Sequence, residues 1–144
     1  MFKEMRRKDR AMDLADARKL LEEADFGFLG LAGPDGQPYV VPVNHCVVDG
    51  DIVFHCAMQG QKLDLLRANP LVCYSACTEH EVLPDEISTR YRSAIAFGKA
   101  EIVEDTEQRR SLLMALLARL APGAGFKCGG ETIDHTCVVR IKVE

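Results

Sequence analysis

Residues 33–62, GPDGQPYVVPVNHCVVDGDIVFHCAMQGQK, decide how this chain is read. Asp49-Gly50 lies between two apolar runs, Val40 to Val48 and Ile52 to Phe54, and an Asp-Gly pair supplies the positive φ angles that a tight hairpin turn needs. Two paired strands follow. The second leads into Gln59-Gly60-Gln61-Lys62, directly ahead of Leu63, Leu65 and Leu66, the pattern of a short helix. Gly60 allows a close backbone approach and the first helical turn presents unpaired N–H groups, so an anion fits there. A cation in that turn opposes the helix dipole by a few tenths up to about 1 kcal/mol. A phosphate beside Lys62 removes the conflict. A solvated surface lysine is the alternative reading of the same pattern.

Upstream of this stretch, Asp13 is a good N-cap for a helix to about residue 24, with Leu14, Ala17, Leu21 and Ala24 on one face. Phe26–Ala32 reads as a strand, and Gly33-Pro34-Asp35-Gly36 as a turn. The next strand spans about residues 37–48. Pro42 interrupts it, which confines it to an edge or a bulge because proline donates no ladder hydrogen bond. Downstream, a helix over Gln61–Ala68 stops at Asn69-Pro70, a strand covers 71–76, and residues 78–90 read as a polar connection. A strand over 93–103 puts Ile95 and Phe97 on one face and Ala94, Ala96 and Gly98 on the other, with Gly98 marking a bulge. Asp105 with Gln108 opens a helix that runs to Leu120 on a stripe of Leu113, Leu116, Leu117 and Leu120. Residues 123–130 are flexible by composition, and a last strand covers about 136–143, with Cys137, Val139, Ile141 and Val143 on one face. The connections between strands are mostly too short for parallel crossovers. The expected fold is therefore mainly β with α: a small barrel of about six mostly antiparallel strands with packed helices.

Composition sets the bounds. The 144 residues, 47% hydrophobic and 28% charged, make one domain with a real core, spanning 1–144. A net charge of −4 argues against a general nucleic-acid binder. The basic start, Lys3, Arg6, Arg7, Lys8 and Arg10, is broken by acidic residues and precedes no apolar run, so neither a secretory signal nor a membrane anchor is expected, and the cytoplasm is the expected compartment. Four of the six cysteines (Cys46, Cys56, Cys73, Cys137) fall in strand-like apolar runs, which favours buried thiols over disulfides. No CxxC pair occurs. Cys73, Cys77 and His80 do not share a strand face, and neither His45-Cys46 nor His55-Cys56 can chelate, because adjacent strand residues point to opposite sides.

The order and spacing of several segments resemble the nitroimidazole-resistance (Nim-type) branch of the pyridoxamine 5′-phosphate oxidase-like FMN-binding split barrels. These segments are MRRKDR, DFGFLGLAGPDGQPYVVPVN, DGDIVFHCAMQGQKLDLLRANPLVCYS, EVLP, YRSAIAFGKAEIVED and the final VVRIKV. The resemblance covers nearly the whole chain. It implies a split β-barrel working as a homodimer, with FMN, or FAD in some members, near the subunit interface. Carried over by position, it implies that Pro42, Val43 and Asn44 line the isoalloxazine edge. His55, Cys56 and Ala57 would lie near the ring and ribityl chain, Gln61 and Lys62 would hold the phosphate, and Ser93 would add a polar contact. Tyr91 and Arg92 are further candidates from the partner chain. The dense arginine motif expected for a pyridoxal phosphate substrate is missing, so vitamin oxidation is not implied.

The function that follows is an FMN-dependent oxidoreductase acting on a small molecule, such as a nitro compound of the 5-nitroimidazole type. The flavin carries the chemistry, and His55 is the candidate catalytic proton donor because imidazole titrates near neutrality. A strand histidine held for structure or cofactor contact is the competing role for His55. The alternative function is a non-catalytic flavin- or haem-binding protein.

Overall fold

The structure, a computed structural model, describes residues 3–124 and 130–144. One antiparallel sheet of seven strands forms in the order β2-β1-β5-β6-β7-β4-β3. These are β1 (Phe26–Ala32), β2 (Pro38–Asn44), β3 (Cys46–Val48), β4 (Asp51–Cys56), β5 (Leu71–Leu83), β6 (Ser88–Ile102) and β7 (Cys137–Val143). The expected class is borne out, with seven strands where about six were read. Helices α1 (Leu14–Glu23), α2 (Gln61–Ala68), α3 (Thr106–Leu120) and the short α4 (Gly130–Asp134) pack on it. The expected flexible stretch at 123–130 lies largely outside the described residues.

The hairpin turn and two helix starts read from sequence form by local chemistry. Asp49 and Gly50 both take positive φ, 52° and 81°, and join Val48 to its partner Asp51 in a two-residue hairpin. At α1, the Asp13 carboxylate accepts the Asp16 N–H at 2.8 Å, and at α3 the Asp105 carboxylate accepts the Gln108 N–H at 2.9 Å. On α1 the buried residues are Leu20 and Leu21, with Ala24 buried just past its end, while Leu14, expected on that face, is exposed.

Two apolar clusters lie on opposite faces of the curled sheet. Inside it, Leu29, Ile52, Phe54, Tyr74, Val139 and Ile141 meet Leu20 and Leu21 of α1 and Leu63 and Leu66 of α2. Outside it, Leu112, Leu113 and Leu116 of α3 and Ile133 of α4 cover Cys46, Val53 and Val138. Strands β4 and β7 are thus covered on both faces, which is why Ile52-Val53-Phe54 and Val138-Val139 are unbroken apolar runs rather than alternating ones.

Three expectations need correction. Residues 78–90 are not a loop: β5 and β6 continue as a paired arm to Leu83 and Ser88, with a turn at Pro84–Glu86. Gly98 is not a bulge. It pairs in register with Val143, and a side chain on it would strike the Lys142 carbonyl, so its role is close approach of β7. The irregularity sits at Glu79, at φ 49°, between Thr78 and His80. Finally, the strand expected over 37–48 runs through Pro42 unbroken and breaks at His45 instead: β2 pairs β1 at one edge of the sheet, while β3 pairs β4 at the other.

Candidate cofactor site

His45 is the pivot at which the chain leaves one edge of the sheet for the other. It is the one buried polar residue among the described residues, 1% exposed. Its Nε2 lies 2.6 Å from the Leu21 carbonyl, which can only accept, so Nε2 carries the proton. Nδ1 then accepts from the Tyr74 hydroxyl at 2.6 Å, and that hydroxyl also lies 3.1 Å from the Val43 carbonyl. Burial holds the imidazole below its usual pKa, opposed by the Leu21 carbonyl and aided by Arg119. The Arg119 guanidinium donates to the carbonyls of Glu22, Glu23 and Ala24, closing the C-terminus of α1 next to this junction. Gly27 is required beside it, since a Cβ there would run into the Tyr74 ring.

The consequence is a seam. Continuing the β3–β4 register, in which Cys46 faces Val53, past His45 would set Asn44 opposite His55 and Val43 opposite Cys56. Instead β2 turns away to pair β1, and Asn44 faces Phe26. The strands β2 and β4 stay close across the gap with no ladder between them. Each therefore presents an edge of unpaired backbone groups to the same space. The sequence-predicted residues Pro42, Val43 and Asn44 lie along one side of it, and His55, Cys56 and Ala57 along the other.

The side chains differ in what they offer. Pro42 is exposed on the outer face, while Val43 packs inward with its carbonyl against the Tyr74 hydroxyl, so its side chain does not face a ligand. Asn44 donates to the Asp25 carbonyl at 3.2 Å, leaving its amide oxygen as an acceptor. His55 is exposed, on the parity opposite Phe54 and Cys56 as expected. Cys56 packs inward, and burial pushes its thiol up to about 11. Ala57 and Gln61 are exposed.

Lys62 stands in the first turn of α2, half-buried and near Cys56. Gly60 caps that helix at φ 145°, a region that favours glycine, and no side chain closes the helix end. No acidic side chain pairs with Lys62 among the described residues. An unpaired cation and open N–H groups beside two strand edges fit a ligand with a phosphate at one end and a flat polar ring at the other. Ser93 does not join this group directly. It lies on the outer sheet face opposite Cys77, and Tyr91 and Arg92 lie farther out on the arm, paired with His80 and Thr78. Sequence reasoning missed His45 as the organiser of the site. Its signal was the polar pair Asn44-His45 inside an apolar run.

Comparison with known proteins bears on the family and the fold. The family model for pyridoxamine 5′-phosphate oxidase matches residues 13–144. A search of curated proteins finds no match. Among solved structures, a Bacteroides thetaiotaomicron protein described as a candidate for 5-nitroimidazole antibiotic resistance is 26% identical, with 93% of this chain and 81% of that one covered and a TM-score of 0.81. The FAD and haem binding protein of Mycobacterium smegmatis is 23% identical over 93% of this chain and 68% of its own, at a TM-score of 0.81. A FAD-binding protein of Mesorhizobium loti is 24% identical over 92% and 91%, at 0.68. No helix among the described residues is long and apolar enough to cross a membrane. With its split antiparallel sheet and a match over residues 13–144, the chain belongs to the pyridoxamine 5′-phosphate oxidase family.

Proposed function

We propose that this protein binds FMN in the seam between β2 and β4 and uses it as an oxidoreductase toward small electron-poor molecules such as nitro compounds. The observation that carries the reading is the pair of facing, unpaired strand edges ending at Lys62. Backbone groups along residues 42–44 and 55–57 that the ladders and Tyr74 leave open hold the polar edge of the ring, and Lys62, Gln61 and the α2 N–H groups hold the phosphate. Bound flavin supplies the electron transfer. The chain orients the ring, keeps water from one side of it and offers His55 as a proton donor to the reduced substrate. The relative named for nitroimidazole resistance supports the nitro substrate class. FAD is the other flavin the site admits, its extra nucleotide extending past Lys62.

The protein works as a homodimer. Rows of residues cross the outer sheet face in register: Pro42, Phe28, Ser75 and Ile95 in one, Val40, Gly30, Cys73 and Phe97 in the next. Phe28 is 46% exposed, Val40 64%, Ile95 59% and nearby Leu71 56%, an apolar face that a monomer rarely leaves in water. A second copy covers it by a twofold contact, which brings Ser93 and the arm with Tyr91 and Arg92 toward the neighbouring subunit.

The absorption spectrum of freshly purified protein tests the cofactor. A flavin spectrum supports the reading, and a Soret band instead supports the haem alternative. Replacing Lys62 by Ala should weaken FMN binding by roughly 1.5 to 3 kcal/mol, the range for a hydrogen bond to a charged group, and leave riboflavin affinity unchanged. Equal affinities of wild type and Lys62→Ala for FMN would place the phosphate elsewhere.

A further inference from the structure

Cys56 and Cys137 are directly opposite each other where β4 and β7 pair. Both are free thiols, and each bears on the titration of the other. Both side chains belong to the inner cluster. Opposed residues of an antiparallel ladder have Cα atoms about 4.5 or 5.5 Å apart, and disulfides span about 4.4 to 6.8 Å, so a bond between these two needs no backbone rearrangement. Their exposure is unequal: Cys137 is 3% exposed, while Cys56 is half-buried at the end of its strand and open to a small solute.

We propose that Cys56 and Cys137 are a reversible dithiol–disulfide site, oxidised by hydroperoxides, that staples the end of β4 to β7. The Cys56 sulfur, as thiolate, attacks a peroxide oxygen. The O–O bond breaks, the leaving oxygen departs as water, and Cys56 becomes a sulfenic acid. The Cys137 sulfur then attacks the Cys56 sulfur, the S–O bond breaks, and the hydroxide leaves as a second water with the Cys137 proton. Two thiols and one hydrogen peroxide give one disulfide and two waters, two electrons passing from sulfur to oxygen. Lys62 favours the Cys56 anion, and Arg67 and Arg109 favour that of Cys137, but burial outweighs them and raises both thiols. Oxidation is therefore slow at neutral pH and speeds up about tenfold per pH unit while the thiolate remains the minor form. This site stands independently of the flavin reading, because both cysteines and their register are properties of the sheet.

The test is a peptide map of the folded protein after hydrogen peroxide, with remaining thiols alkylated and no reductant added. Cleavage before aspartate isolates Cys56 in the peptide 51–63 and Cys137 in 134–144, each without another cysteine. The expected product is the cross-linked pair of these peptides, released by dithiothreitol and formed faster as pH rises. In Cys137→Ser the cross-link disappears and a sulfenic acid at Cys56 is trapped by dimedone. Peptides 51–63 and 134–144 recovered separately and alkylated, or either one linked to a different cysteine, would overturn the proposal.

Discussion

Acid should loosen the junction at His45 before it affects the rest of the sheet. The native imidazole is buried and neutral, its pKa held below the ordinary 6.5 by burial. The unfolded chain recovers the ordinary value. Above that pH neither state binds the proton and the residue makes no pH-dependent contribution. As pH falls through the unfolded value, only the unfolded chain takes up the proton, so stability drops by up to about 1.4 kcal/mol per pH unit. The loss stops when pH reaches the lowered native pKa, where the folded protein is protonated as well. Protonation would then make Nδ1 a donor to Tyr74, pushing its hydroxyl proton toward the Val43 carbonyl 3.1 Å away, with Arg119 adding repulsion.

Carboxylates also titrate on the acid side, so the assay needs a reference that keeps the hydrogen bonds without the proton. In His45→Gln the amide nitrogen can donate to Leu21 and the amide oxygen can accept from Tyr74. Urea unfolding of both proteins from about pH 7.5 down to about pH 5 isolates the residue's share of the pH dependence. The wild type should lose more stability than the variant over this window, with the two separating just below the unfolded pKa. Parallel curves would refute the assignment of a neutral, buried imidazole to the seam.

Other outcomes follow from particular contacts. Gly27→Ala drives a methyl group into the Tyr74 ring and should cost roughly 1 to 3 kcal/mol by overpacking, read as a lower urea midpoint. An unchanged midpoint would mean that Tyr74 is free to move. Ile95→Asp, in the centre of the exposed apolar face, should convert a dimer to a monomer in analytical ultracentrifugation with the far-ultraviolet spectrum retained; a dimer of undiminished affinity would place the interface elsewhere. His55→Ala should keep flavin yet lose about 10²- to 10⁴-fold in turnover of a nitro substrate, with an altered pH profile. Retained flavin with wild-type turnover would remove His55 from the chemistry.

What the sequence disclosed is what local chemistry controls. Asp49-Gly50 specifies its turn through φ alone, and Gly60 ahead of Gln61 and Lys62 fixes the start of α2 through the backbone angle of one residue. The arm of β5 and β6 was hidden because Glu79 to Glu81 and Arg90 to Arg92 are exposed on both sides, so no alternation of apolar and polar residues remains. The bulge was hidden too, since Glu79 rather than a glycine takes the positive φ. At the site, Lys62 was legible, but the facing of residues 42–44 and 55–57 was not a local property. It depends on sheet closure and on the bond between His45 and Tyr74, which are 29 residues apart.

The break at His45 also links the proposed cofactor site to the proposed subunit contact. Had the register of Cys46 and Val53 continued, β2 would have completed a closed barrel and left no unpaired edge between β2 and β4. Turning toward β1 at Asn44 exposes backbone groups on both sides of the seam, and it places the chain's edge strand next to an apolar outer face. Uncovered edges and apolar faces invite uncontrolled pairing. On the proposed function, a flavin in the seam would satisfy the first and a second subunit the second, so each would add stability to the folded chain. A ligand present at 100 times its dissociation constant adds about 2.7 kcal/mol, enough to be read directly as a shift in the urea midpoint. On the proposed function, removing the flavin should therefore speed amide exchange first at Val43, Asn44 and residues 55–57, where the cofactor would stand in for the missing strand pairing, while the amides between β5 and β6 keep their protection. Uniform loss of protection across the sheet would mean that the cofactor stabilises the fold from some other place.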